Sequence, residues 1–255
     1  MGWTKVALPI LVLIFWEIAP DAGIVSQRIL PPLHNVLIGF YELLVKGIPP
    51  GHLLSKHIAY SLLRVGLGFA IAFGVALPLG IFMGLSGRIR NFFLPLVEAI
   101  RPIPPLAWIP ISILWFGIGI KSAAFIIFLG AFFPIISNTL MGVMHVQRAF
   151  VEAAMLLGAK RLDLVVKVYL PSAAPAIFTG AKVGLGVAWM TLVAAEFTGI
   201  KEGYGLGFMI MTARDIQRPD QIMAGMLVIG VMGFLLNRGI SILEAFLVPW
   251  AKQRL

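Results

Sequence analysis

Ala123-Ala-Phe-Ile-Ile-Phe-Leu-Gly-Ala-Phe-Phe-Pro-Ile-Ile-Ser-Asn-Thr-Leu-Met-Gly-Val143 runs for 21 residues without a charge. A helix of that length covers about 30 Å, the thickness of a bilayer's hydrocarbon core. Similar apolar runs occur from Val6 to Ile18, Ile58 to Leu85, Ala173 to Phe197 and Met223 to Val248, each with no more than two charged residues. A backbone in lipid must satisfy its own hydrogen bonds, and a helix does so locally. The expected fold is therefore all-α: a polytopic helical membrane protein with about six transmembrane helices. The third of these, Phe92 to Gly117, is interrupted by Pro95, Pro102, Pro104, Pro105 and Pro110. A straight helix is not expected there, because each proline removes a backbone donor. Broken stretches of this kind are tolerated in membranes where they are buried in protein or line a cavity.

The composition agrees. Of 255 residues, 60% are hydrophobic and 12% charged, where a soluble domain carries about 25% charged residues, and the mean hydropathy is +0.97. The net charge of +9 would raise nucleic acid as a partner for a soluble chain. Here the cations belong at the membrane edge, and no nucleic-acid partner is expected. With no cysteine, disulfides, thiolate nucleophiles and Cys-based metal sites are excluded. His34, His52, His57 and His145 have no metal-ligand spacing, so neither a metal nor a cofactor is expected. Lys5 precedes the first apolar run and no small-residue cleavage site follows it, which reads as an uncleaved helix. His34 to Val45 carries Val36, Leu37, Phe40 and Leu44 at helical spacing, the pattern of a short interfacial helix. The whole chain, 1–255, reads as a single membrane domain, with the first span and an external interfacial segment in 1–57 and the core in 58–248.

Six spans place both termini on one side, together with the loops after the second and fourth spans. Those segments hold Arg88, Arg90, Arg148, Lys160, Arg161, Lys167, Lys252 and Arg254, so this side is expected to be cytoplasmic in the cell membrane. The opposite side carries Arg28, Lys46, Lys56, Lys121, Lys201, Arg214 and Arg218, mixed with Asp21, Glu42, Glu202, Asp215 and Asp220.

The loop after the fourth span is unusually long: Val151-Glu-Ala-Ala-Met-Leu-Leu-Gly-Ala-Lys-Arg-Leu-Asp-Leu-Val-Val-Lys-Val-Tyr-Leu-Pro171. Glu152 to Leu157 is rich in helix formers, Gly158 is a helix stop, and Arg161 to Val168 forms a second helical stretch before Pro171. A short helix, a turn and another helix present a knob for a partner's groove.

These residues carry a resemblance. Glu152, Ala153, Ala154, Gly158, Val168, Leu170 and Pro171 match the pattern Glu-Ala-Ala, three residues, Gly, nine residues, an aliphatic residue, any residue, Leu-Pro; Val168 stands where isoleucine is commoner. The segment resembles the coupling loop of permease subunits of bacterial binding-protein-dependent ABC importers. Arg101-Pro-Ile-Pro-Pro-Leu-Ala-Trp-Ile-Pro110, Leu114-Trp-Phe-Gly-Ile-Gly119, Ala194-Ala-Glu-Phe-Thr-Gly199 and Gly203-Tyr-Gly-Leu-Gly207 are similar to the nitrate/sulfonate/taurine branch. The resemblance implies a homodimeric membrane domain in the cell (inner) membrane, two cytoplasmic ABC ATPase subunits and an external or periplasmic solute-binding protein. It also implies that residues 152–171 form a cytoplasmic coupling helix between the fourth and fifth spans, with Glu152, Ala153, Ala154, Gly158, Leu170 and Pro171 coupling to the ATPase. The chain has no phosphate-binding Gly-x-x-x-x-Gly-Lys-Ser/Thr loop, so it is read as a non-catalytic subunit with ATP hydrolysed by its partner.

The expected solute is small and anionic, of the nitrate, alkanesulfonate or taurine type; bicarbonate or a vitamin-precursor heterocycle is the alternative, and a secondary carrier a more distant one. Ionisable groups inside spans are functional-site candidates by default, and Arg101, Trp108, Lys182, Trp189 and Glu196 form the candidate translocation path. Arg101 follows Glu98 by three residues, the spacing of an intrahelical ion pair. Glu196 lies near an outer helix end, where it can snorkel, and the tryptophans suit membrane-interface anchors. Gly203 to Gly207 reads as a flexible outer turn.

Overall fold

The computed structural model describes residues 3–49, 51–197 and 203–250, with side chains from residue 7 onward. The side chain of Lys5, and Gly199, Lys201, Glu202, Lys252 and Arg254, lie outside the described residues. The described chain is helical throughout: α1 (Trp3–Asp21), α2 (Leu33–Val45), α3 (Leu54–Leu85), α4 (Gly87–Ile100), α5 (Ile109–Phe116), α6 (Ile120–Met144), α7 (Arg148–Leu156), α8 (Arg161–Leu164), α9 (Leu170–Phe197), α10 (Leu206–Asp215) and α11 (Pro219–Leu247). Among the described residues, four helical stretches are long and apolar enough to cross a membrane: Leu54–Leu85, Ile120–Met144, Arg161–Phe197 and Pro219–Leu247. The first expected span lies in α1, whose apolar side chains, Leu8, Leu11 and Phe15 among them, are exposed.

The third span is broken, as its prolines require. Helix α4 starts on Ser86, whose side chain accepts from the Ile89 N–H at 3.4 Å, and ends at Ile100. A 3₁₀ turn, Pro105–Trp108, then leads into α5, and the two limbs are bent by 85°. Within the break, Ile103 N–H donates to the Ile100 carbonyl and Ala107 N–H to that of Pro104, so local turns replace the bonds that three prolines interrupt.

Contacts divide the chain into two compact units, residues 63–195 with 233–255 and residues 1–62 with 196–232. In the former, α6 is the central helix, and small residues let its neighbours approach. A Cβ on Gly68 or Gly84 of α3 would lie 2.6 Å from side-chain atoms of Ile127 or Val143 on α6. On the other flank, a Cβ on Gly180 or Gly184 of α9 would come within 2.8 Å of Asn138 Cβ and 3.0 Å of the Ala131 carbonyl. Close approach through small residues drives helix association where lipid leaves no hydrophobic effect between helices.

In the other unit, Trp16 Nε1 donates to the Pro31 carbonyl at 3.0 Å and ties α1 to the start of α2. Glu42 of α2 accepts from Arg218 at 2.5 Å and from Gln221 of α11 at 3.2 Å. Helix α2 is the short helix its spacing suggests. Hydrogen bonds from Arg218 and then Lys46 hold the Glu42 carboxyl at about 2, well below its usual range.

Candidate functional site

The Glu-Ala-Ala segment folds as two helices joined by a tight turn. Helix α7 covers Arg148–Leu156, and Gly158 then takes φ +83°, the left-handed conformation that glycine adopts without a Cβ penalty. Asp163 accepts from the Lys160 N–H at 3.2 Å and pairs with Lys167 at 2.7 Å, fixing the start of α8. A π-turn over Val165–Tyr169 joins α8 to α9. Its widened turn lies just before Pro171, which has no N–H to give to an α-helical ladder. Pro171 therefore opens α9 instead of ending the preceding helix, and Arg161–Phe197 runs as one helical stretch of 37 residues.

The tip of this element is apolar and uncovered. Leu156 is 89% exposed, Leu157 88% and Leu162 75%. Ala153 and Gly158 are also exposed, Ala154 and Leu170 half-buried. Glu152 lines a cleft of about 340 Å³ with Arg90, Arg148, Met155 and Tyr169.

The five candidate path residues have different environments. Arg101 caps the C-terminal end of α4 and lines a cavity with Ser137, Asn138 and Phe133 of α6 and Val187 of α9. It makes no ion pair with Glu98, which corrects the expectation from their spacing. Arg101 still has helical dihedral angles and its N–H donates to the Val97 carbonyl at 2.9 Å, and the residue borders the cavity. Lys182 is bound to Glu244 of α11 in a partly buried ion pair. Two opposite charges inside apolar spans are expected to pair, and their presence in the fifth and sixth runs was the available signal. Trp108 packs at its edge on Phe125, beside a cluster of Ala123, Ile126 and Ala195. Trp189 is buried against α11, where a Cβ on Gly233 would meet its ring at 3.0 Å. Both tryptophans pack between helices.

Glu196 does not snorkel: it is 1% exposed. Its carboxylate accepts from the Ser61 hydroxyl at 2.8 Å and from the Gly207 N–H at 2.8 Å. Ser61 Oγ in turn accepts from the Leu206 N–H at 2.9 Å, and His57 Nδ1 from the Gly205 N–H at 3.0 Å. His57 Nε2 lies 3.1 Å from the Ile48 carbonyl oxygen, and Nδ1 also lies 2.9 Å from that of Gly205. Three side chains from distant positions thus satisfy the first N–H groups of α10, which have no intrahelical partner, and the carboxylate sits where the helix dipole favours it. Tyr204 stacks between His52 and Tyr60, with ring centroids 4.4 and 5.0 Å away. Gly203 to Gly207 is anchored at each of these points; the reading of a flexible turn is corrected by them. Ser61, His52 and His57 carry no local signal for this role, since their partners lie 135 to 151 residues away.

Comparison with known proteins gives this architecture a family. Residues 76–253 match the family described as binding-protein-dependent transport system inner membrane component. The chain is 41% identical over 249 residues to a putative ABC transporter permease protein of Methanocaldococcus jannaschii, covering 98% of this chain and 92% of that one. It is 40% identical over 246 residues to the taurine transport system permease protein of Escherichia coli, covering 95% and 87%. It is 36% identical over 196 residues to the nitrate import permease protein of Leptolyngbya laminosa, covering 77% and 70%. An inward-facing structure of the MetNI methionine ABC transporter shares the fold, with a TM-score of 0.59 and 21% identity over 76% of this chain and 98% of that chain. The chain belongs to the binding-protein-dependent transport system inner membrane component family. It is a permease of the ABC importer class, similar to taurine, sulfonate, nitrate and bicarbonate permeases alike.

Proposed function

We propose that two copies of this chain form the membrane path of an ATP-driven importer, which receives a small anionic solute from an external binding protein. Two ATPase subunits engage the Val151 to Pro171 element from the cytoplasmic side, where both termini also lie. The observation that carries this reading is the apolar tip around Gly158. Leu156, Leu157 and Leu162 stand exposed among Lys160, Arg161, Asp163 and Lys167. Charged residues of this density suit water or a headgroup region, and large apolar side chains left uncovered among them mark a docking surface.

The continuity of Arg161–Phe197 supplies the mechanical link. When ATP draws the two ATPases together, their grooves carry the α7–α8 knob, and α9 transmits the displacement into the membrane as a rigid rod. Hydrolysis and separation reverse the movement. Gly158 allows the partner's backbone to approach, and Glu152 offers a carboxylate for an arginine of the ATPase.

The test is Gly158→Trp in the assembled importer, reconstituted with its ATPase and binding protein. A side chain at φ +83° is strained and bulk at the tip blocks docking, so ATP-driven uptake should fall at least about tenfold while membrane insertion is retained. Uptake and ATP hydrolysis coupled as in the parent would overturn the assignment.

A further inference from the structure

We propose that the cavity at the break of the third span is an anion subsite with an apolar wall, built for a short-chain organic monoanion in preference to a bare inorganic one. This rests on the reading of the chain as a solute path and names the chemistry of that path. The cavity holds about 280 Å³ and lies among Arg101, the α6 residues Leu129, Phe133, Ser137 and Asn138, and Val187 of α9.

Three observations converge on its ligand. The first is charge. Of the two cations that the sequence offers to the path, Lys182 is neutralised by Glu244. The Arg101 side chain has no ion pair or hydrogen bond among the described residues, the residue borders the cavity, and no acidic side chain lines it. A guanidinium presents five donors in a planar fork that matches an oxyanion.

The second is donor capacity. Asn138 Nδ2 gives one hydrogen to the Pro134 carbonyl at 2.8 Å, which leaves the second amide hydrogen of an NH₂ group for a ligand. The Ser137 hydroxyl beside it has no partner among the described residues. A cation with two neutral donors suits an anion with several oxygens.

The third is the wall. Leu129, Phe133 and Val187 give the rest of the cavity an apolar surface. Nitrate and bicarbonate have no apolar part to place there, so for them this surface only removes water from a charged ion, at a cost. An alkanesulfonate or a short carboxylate sets its anionic head on Arg101 and its hydrocarbon on the wall, where each buried methylene adds to binding.

The absence of native cysteine makes a direct test possible on the full chain in lipid nanodiscs. Ser137→Cys places one thiol in the cavity, and two methanethiosulfonate reagents of similar size then probe it, one carrying a sulfonatoethyl group and the other a trimethylammonioethyl group. Normalised to their rates with a free thiol, whose thiolate itself favours the cationic reagent, the anionic reagent should react roughly tenfold faster, the scale on which a charged cleft concentrates a counter-ion. Adding Arg101→Gln should bring the ratio close to one, and Arg101→Lys should retain most of it. Butanesulfonate should protect the thiol better than nitrate or bicarbonate at equal ionic strength. A ratio near one in the single variant, or one that Arg101→Gln leaves unchanged, would overturn the anion subsite. Protection by nitrate equal to that by butanesulfonate would overturn the organic class. ATP-driven uptake by the reconstituted importer is read separately. If it is absent for every anion while the labelling preference holds, the importer's solute class fails and the subsite stands.

Discussion

Removing the Glu196 carboxylate should loosen α10 and leave solute selection intact, because the structure makes this residue a fastening and not part of a pore surface. In Glu196→Ala the Ser61 hydroxyl and the Gly207 N–H, each now 2.8 Å from a carboxylate oxygen, lose their acceptor inside a buried site. An unsatisfied buried donor costs about 1–3 kcal/mol, so two of them amount to roughly 2–6 kcal/mol of local stability. At 1.4 kcal/mol per factor of ten, amide exchange at 205–207 should accelerate by about 30-fold to 10⁴-fold. Glu196→Gln keeps the shape and one acceptor oxygen, but turns an NH₂ toward a donor, and should fall between the parent and Ala. Ser61→Ala removes the acceptor of the Leu206 N–H and should accelerate exchange at that amide most. Hydrogen–deuterium exchange of the purified permease in nanodiscs reads all three variants. Unchanged protection of 205–207 in Glu196→Ala, together with an altered preference among transported anions, would refute the fastening and restore Glu196 to the solute path.

Other outcomes follow from the same contacts. Lys182→Met strands the partly buried Glu244 carboxylate and should cost about 1–3 kcal/mol, and Lys182→Met with Glu244→Gln should recover most of it; thermal unfolding of the two variants checks this, and additive losses would refute the coupling. The Glu42 carboxyl is held at about 2 in the folded chain against 4.5 for an ordinary one, so the folded state releases this proton more readily than the unfolded state. The stabilisation is complete above pH 4.5 and is lost as pH falls toward 2; Glu42→Gln should remove that part of the acid sensitivity in a melting series. For orientation, Lys160→Cys should resist an impermeant thiol reagent applied outside intact cells while Lys121→Cys reacts, and the opposite pattern would invert the assigned topology.

How much of this was legible from the chain depends on the range of the physics involved. The long apolar helices, the break at Pro102 to Pro105 and the left-handed turn at Gly158 follow from runs, missing donors and a missing Cβ, each decided within a few residues. The Glu-Ala-Ala spacing was legible for the same reason, and so the class of protein was readable before the fold. Charged residues inside the spans were a different matter. Sequence marks Arg101, Lys182 and Glu196 as costly in lipid, but the compensation lies far along the chain: Glu244 for Lys182 is 62 residues away, and Ser61 for Glu196 is 135. All three therefore read alike as path candidates, and only their partners separate them. A cation with a carboxylate and a carboxylate with two donors are compensated, and their function is to hold helices and α10 in place. Arg101 is set apart by the same criterion, because its side chain has neither an ion pair nor a hydrogen bond among the described residues and the residue borders a cavity. In a membrane, the ionisable residue that the fold leaves without a protein partner, beside a cavity, is the one left available to a solute.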